Sequence, residues 1–127
     1  MTKSYGSFLV TALIVVFLSH AAFAYTTEQV NKARAYAHMY KEEYWKCLAR
    51  EALKMLNTRI SSQEFQLYLT TACPAEKQKF RVPLIDYLSM TNTDMTVQDA
   101  FSSADYVMKL AQDEVVKEFI EMRIKGN

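Results

Sequence analysis

Glycine and proline are scarce in this chain: its 127 residues contain two of each, and the stretch from Tyr25 to Cys73 contains neither. Sheet-containing domains need turn residues every few positions, so this absence excludes all-β and α/β architectures. With abundant Ala, Glu, Lys, Met and Leu, it predicts an all-helical domain. Net charge is nearly absent too, with 15 Lys and Arg against 14 Asp and Glu. Nucleic acids and anionic membranes are held by clustered positive charge, so neither is expected as a partner. Histidine is limited to His20 and His38. That shortage removes most metal centres and most nucleophile–histidine pairs, so no cofactor is implied and an enzyme is not expected.

The first 24 residues are present for another purpose. Lys3 is the only charge before an apolar run from Phe8 to Leu18, and Ala22-Phe23-Ala24 then forms a small-x-small site. This is the pattern of a secretory signal peptide cleaved after Ala24, with Ala22 and Ala24 as the small residues that a signal peptidase accepts. The run is shorter than the roughly 20 apolar residues needed to span a bilayer, so stable membrane insertion after cleavage is not expected. Residues 25–127 then form a single domain, periplasmic or secreted. In an oxidising compartment the two cysteines, Cys47 and Cys73, are most simply one disulfide, the alternative being two free thiols.

Helix signals divide the mature chain into four. Thr26-Thr27-Glu28-Gln29 reads as a capping box opening a long first helix. Its stripe of Val30, Ala33, Ala37, Tyr40, Tyr44, Cys47, Leu48, Ala52, Met55 and Leu56 recurs every three or four residues, and it should end near Asn57 and Thr58. Ser61-Ser62-Gln63-Glu64 is a second capping box, starting a short helix with Phe65, Tyr68, Leu69 and Ala72. Pro74 suits the first position of a third helix, with Phe80, Leu84, Tyr87 and Leu88 on its buried face and Pro83 expected to kink or divide it. Ser89 to Thr96 reads as a loop. A final long helix carries Val97, Ala100, Phe101, Ala104, Val107, Met108, Ala111, Val115, Phe119 and Met122 and stops at Gly126. Two long and two shorter amphipathic helices hide their stripes by packing as a small four-helix bundle, with the disulfide tying the first helix to the start of the third.

Few residues suggest chemistry. His38 and Glu42 stand one turn apart and could share a ligand, but a two-point site is more simply a solvated pair. Met39, Met55, Met90, Met95, Met108 and Met122 raise a soft metal site or an adaptable binding surface. They are scattered rather than clustered, which reads as gap-filling in a core. The aromatic group Tyr36, Tyr40, Tyr44 and Trp45 straddles more than one helix face. Tyr40 and Tyr44 fall on the core stripe, leaving Tyr36 and Trp45 as partner-binding candidates, since Tyr and Trp combine rigid apolar area with a polar handle.

Two stretches resemble exported families. Trp45-Lys46-Cys47 together with Ala72-Cys73-Pro74-Ala75-Glu76-Lys77-Gln78 through Phe80 resembles the surroundings of the two disulfide cysteines in the periplasmic acid-stress chaperones. That family is implied to hold unfolding clients on apolar surface exposed at low pH. The cysteines here are closer together than in that family, and a long further helix follows the second. Tyr40-Lys41 followed by Cys47-Leu48-Ala49 is similar to the first helix of some type VI amidase immunity proteins, which are exported, helical and disulfide-bonded. The expected function is a non-enzymatic binding protein acting on a protein partner, such as an inhibitor or immunity protein, with homodimer formation one form of that binding. A periplasmic stress chaperone is the alternative, and an enzyme or metal carrier a distant third.

Overall fold

The structure is a computed structural model that describes residues 24–126. Among them are four helices, α1 (Thr27–Met55), α2 (Ser62–Thr71), α3 (Pro74–Thr91) and α4 (Val97–Lys125), and no strand. Of the expected cleavage site, Ala22 lies outside the described residues. Ala24 is exposed and irregular.

Helix starts are decided locally. Thr26, Ser61 and Thr96 each occupy the N-cap of a helix, and each shares a reciprocal capping box with Gln29, Glu64 and Asp99 respectively. Each box satisfies two amides that the first turn would otherwise leave unpaired. The acceptor role also holds the Glu64 and Asp99 carboxyls below the ordinary carboxylate range. The start of α3 is different. Cys73 caps it with no side-chain hydrogen bond, in a left-handed conformation with φ of 55°, and Pro74 follows as the first helical residue. A left-handed non-glycine residue costs on the order of 1 kcal/mol.

Cross-helix pairings show how the four helices assemble. Trp45 meets Phe80 with ring centroids 5.9 Å apart, and Cys47 is bonded to Cys73 across a Cα separation of 6.1 Å, so α3 runs antiparallel to α1. Arg81 reaches Asp105, Gln66 reaches Asp113, and Arg123 donates to the carbonyl of Ile60. Helices α2 and α3 therefore follow one another in the same direction, each antiparallel to α4. The four predicted helices are present, but the two short ones do not lie side by side. They form one arm, broken at Ala72–Cys73, in a bundle of three arms.

The core is concentrated where α1, α2 and α4 meet the start of α3. Tyr44, Leu48, Phe65, Leu69 and Phe119 are completely buried there, and Phe65 stacks on Phe119 at 4.1 Å. The Cys47–Cys73 disulfide lies in the same cluster. Closing its loop, with the cysteines 26 residues apart, is worth roughly 3–4 kcal/mol in the chain-entropy estimate. The buried apolar residues outside that cluster are Ala33, Ala100 and Ala104.

Several sequence expectations are corrected. Helix α1 ends at Met55 rather than Asn57. Helix α3 extends through Ser89, Met90 and Thr91, because Thr91 Oγ1 and Asn92 Nδ2 cap the Tyr87 and Leu88 carbonyls. Pro83 does not divide it: α3 is continuous from Pro74 to Thr91. Of its expected buried face only Phe80 is fully buried, and Leu84, Tyr87 and Leu88 are half-buried. Val97 and Phe101 are off the core stripe, Val97 being 67% exposed. Val97 is the first residue of α4, next to its N-cap Thr96, and Phe101 is covered by the Arg81 guanidinium 5.3 Å from its ring.

Candidate functional site

Tyr36 and Trp45 are nine residues apart on α1, and at about 100° per residue they lie on opposite sides of that helix. The structure therefore splits the expected aromatic patch. Tyr36 is 44% exposed and stacks on Tyr40 at 6.2 Å. Both rings line a shallow depression over the outer face of α3 with Val82, Pro83 and Asp86. Trp45 turns the other way, into the seam between α1, α3 and α4.

That seam forms an apolar groove. Its volume is about 420 Å³, and its walls are apolar: Trp45 on α1, Phe80, Leu84 and Tyr87 on α3, Val107 and Leu110 on α4. It exists because the apolar side chains around it are incompletely covered: Leu84, Tyr87 and Val107 are half-buried and Leu110 is exposed. Trp45 is locked in orientation by edge contacts to Tyr44 and Phe80 at 5.9 Å each. Its indole N–H donates to the Glu114 carboxylate at 3.4 Å, and the Lys41 ammonium lies 5.2 Å over its ring. The α1 rim carries Arg34, His38 and Lys41.

Beneath this groove lies a polar pair that periodicity did not reveal. Gln112 is 7% exposed, and its Nε2 donates at 3.0 Å to the hydroxyl of fully buried Tyr44. Burial raises the Tyr44 phenol above its ordinary range, and the Gln112 hydrogen bond partly opposes this. Gln112 falls on the same helical face as Met108 and Val115, so its position on the stripe was a usable signal.

The remaining candidates are separate. His38 stands on the groove rim, whereas Glu42 is exposed and is not part of the groove lining. The methionines are dispersed: Met108 is buried, Met55 and Met122 pack against the core, and Met39 is exposed. The Glu76 carboxylate lies close to the sulfurs of Cys47 and Cys73, but those sulfurs are bonded to each other. No described helix is long and apolar enough to cross a membrane. The chain matches no protein-family model, no curated protein and no solved structure.

Proposed function

We propose that this chain is an exported, non-enzymatic helical protein that binds a protein partner in the groove beside Trp45, in the manner of an inhibitor or immunity protein. The observation that carries the reading is the groove itself: an apolar cleft with an oriented tryptophan at its floor and charges confined to its rim. Interfaces concentrate their binding energy in such desolvated aromatic anchors surrounded by polar groups. The signal-peptide pattern of residues 1–24 and the Cys47–Cys73 disulfide support an oxidising destination. The test is affinity capture from the envelope fraction of the source organism, with wild type beside Leu110→Glu. A partner retained at defined stoichiometry by wild type and lost by the variant supports the reading. Equal retention, or capture of nothing, contradicts it.

A second reading, a chaperone of stressed envelope proteins, is favoured by a different observation: carboxylates link the arms. Asp105 accepts from Arg81 at 2.6 Å, Asp113 from Gln66 at 3.2 Å, and Glu51 from the Tyr68 hydroxyl. Arg81 holds the Asp105 carboxyl below its ordinary range, Lys109 does the same to Asp113, and Lys54 followed by Tyr68 to Glu51. A depressed folded-state value means the stabilisation is present above the ordinary carboxylate range and is lost as pH falls through the depressed value. Acid thus weakens the Arg81–Asp105 link between α3 and α4 most directly, and loosening of such links is how apolar surface becomes uncovered. Suppression of client aggregation near pH 3 and none at pH 7 distinguishes this reading; activity at both or neither removes it.

A further inference from the structure

Three basic side chains stand in a row on one wall of the groove. Arg34, His38 and Lys41 follow at steps of four and three residues, the spacing that keeps side chains on one helix face, and all three line the cleft. From Arg34 to Lys41 the row rises over seven residue steps, about 10 Å at the 1.5 Å rise of a helix. Neither Arg34 nor Lys41 takes part in any of the ion pairs among the described residues. The Arg34 side chain donates only to Asn31, at 3.1 Å. The one acid in the lining, Glu114, is engaged by the Trp45 indole at the opposite end of the row from Arg34. The groove therefore offers an apolar floor with a basic edge whose Arg34 and Lys41 have no acidic partner among the described residues.

Resting on the reading of this groove as a protein-docking site, we infer that its occupant is an acidic amphipathic helix of the partner. Such a helix presents apolar anchors at i, i+3 or i+4, and i+7 to the floor formed by Trp45, Phe80 and Leu84. Its carboxylates, at the same spacing along one flank, face Arg34, His38 and Lys41. Two features select a helix over a single-headed anionic amphiphile. The positive charge is spread along the wall, where one head group neutralises only one point. The cleft is also open to solvent rather than enclosed, whereas small-ligand pockets bury most of their ligand surface. A docked helix needs only one face covered. Glu114 repels acid on the α4 side, so the acidic flank is placed against the α1 wall that carries Arg34, His38 and Lys41.

The test uses a display library of helical peptides of about 15 residues, roughly four turns, panned against the disulfide-bonded chain and against its Arg34→Glu/Lys41→Glu variant. Both substituted residues are exposed, and circular dichroism verifies that the variant is folded. Trp45 is the only tryptophan, so its emission reports occupancy of the groove directly. Wild type is expected to enrich peptides with helical apolar spacing and one acidic flank that shift Trp45 emission. The variant is expected to enrich basic flanks, each protein preferring its own class by about tenfold in Kd. The inference is overturned if both proteins select the same peptides, if the selected peptides leave Trp45 emission unchanged, or if decanoate below its micelle concentration shifts that emission while no peptide does. Envelope capture separates the two levels. A natural partner held equally by both proteins overturns the acidic-helix inference and leaves protein binding intact, whereas no partner for either removes the reading beneath it.

Discussion

The two halves of this bundle are built from different materials. Where α1, α2 and α4 meet the start of α3, the interior holds Tyr44, Leu48, Phe65, Leu69 and Phe119, all fully buried and tied by the Cys47–Cys73 bond. Toward the other end the buried residues are Ala33, Ala100 and Ala104, and the apolar side chains of α3 from Leu84 to Met90 are half-buried. A buried alanine removes one methyl group from water, a small fraction of what a leucine or phenylalanine contributes. The first half is where stability is made. The second leaves apolar surface partly uncovered, and that incomplete burial is what forms the groove.

The largest expected separation between the halves comes from truncating core side chains. Phe119→Ala should destabilise by about 3–5 kcal/mol and Leu48→Ala by about 2–5, whereas Leu84→Ala should cost about 1 kcal/mol, near the average for point substitutions. Urea titrations of the three variants check this, and equal losses would erase the distinction between the halves. Removing the disulfide by Cys47→Ala/Cys73→Ala should cost roughly 3–4 kcal/mol. In that background Cys73→Gly should be more stable than Cys73→Ala by on the order of 1 kcal/mol, because φ of 55° at this residue is strained for any side chain. No difference between the two would show that the left-handed turn relaxes once the bond is gone.

The buried polar pair sharpens the comparison at the seam between the halves. Tyr44→Phe or Gln112→Leu alone should each cost about 1–3 kcal/mol, since each leaves a buried polar group unpaired, while the double variant should recover much of that. A thermodynamic cycle with additive single effects would mean that the two side chains act independently. The smallest effect belongs to acid. Because the Asp105 carboxyl is held low by Arg81 but is 59% exposed, Asp105→Asn should cost no more than about 0.5–1 kcal/mol at pH 7. That cost should fall away as pH drops below the ordinary carboxylate range and through the depressed value of the Asp105 carboxyl, where wild type is itself protonated. A pH series of thermal midpoints for wild type and variant reads this directly.

Much of the local architecture was legible in the chain. The Thr26 and Ser61 boxes, Pro74 at the first position of α3, and the pairing of Cys47 with Cys73 depend on residues within a turn of each other or on a single pair of thiols. Such features need no knowledge of neighbouring helices. The stripe of α1 was also correct at Ala33, Ala37, Tyr44, Leu48 and Ala52, because long helices repeat one face often enough to reveal it. The apolar residues of α3, by contrast, are spread around its circumference from Phe80 to Met90, so periodicity could not say which would be covered.

Sequence alone thus determined that the described chain is helical, where its helices begin, and which cysteines are joined, since hydrogen-bond capping, proline geometry and thiol chemistry act over short range. Tertiary structure decided the rest. It placed the two short helices end to end as one arm, seated Trp45 in the seam between α1, α3 and α4, and buried Gln112 against Tyr44. It also left the Trp45 groove uncovered. Each of these outcomes depends on which face of one helix meets which face of another, and that is settled by packing between residues tens of positions apart, where no local preference reaches.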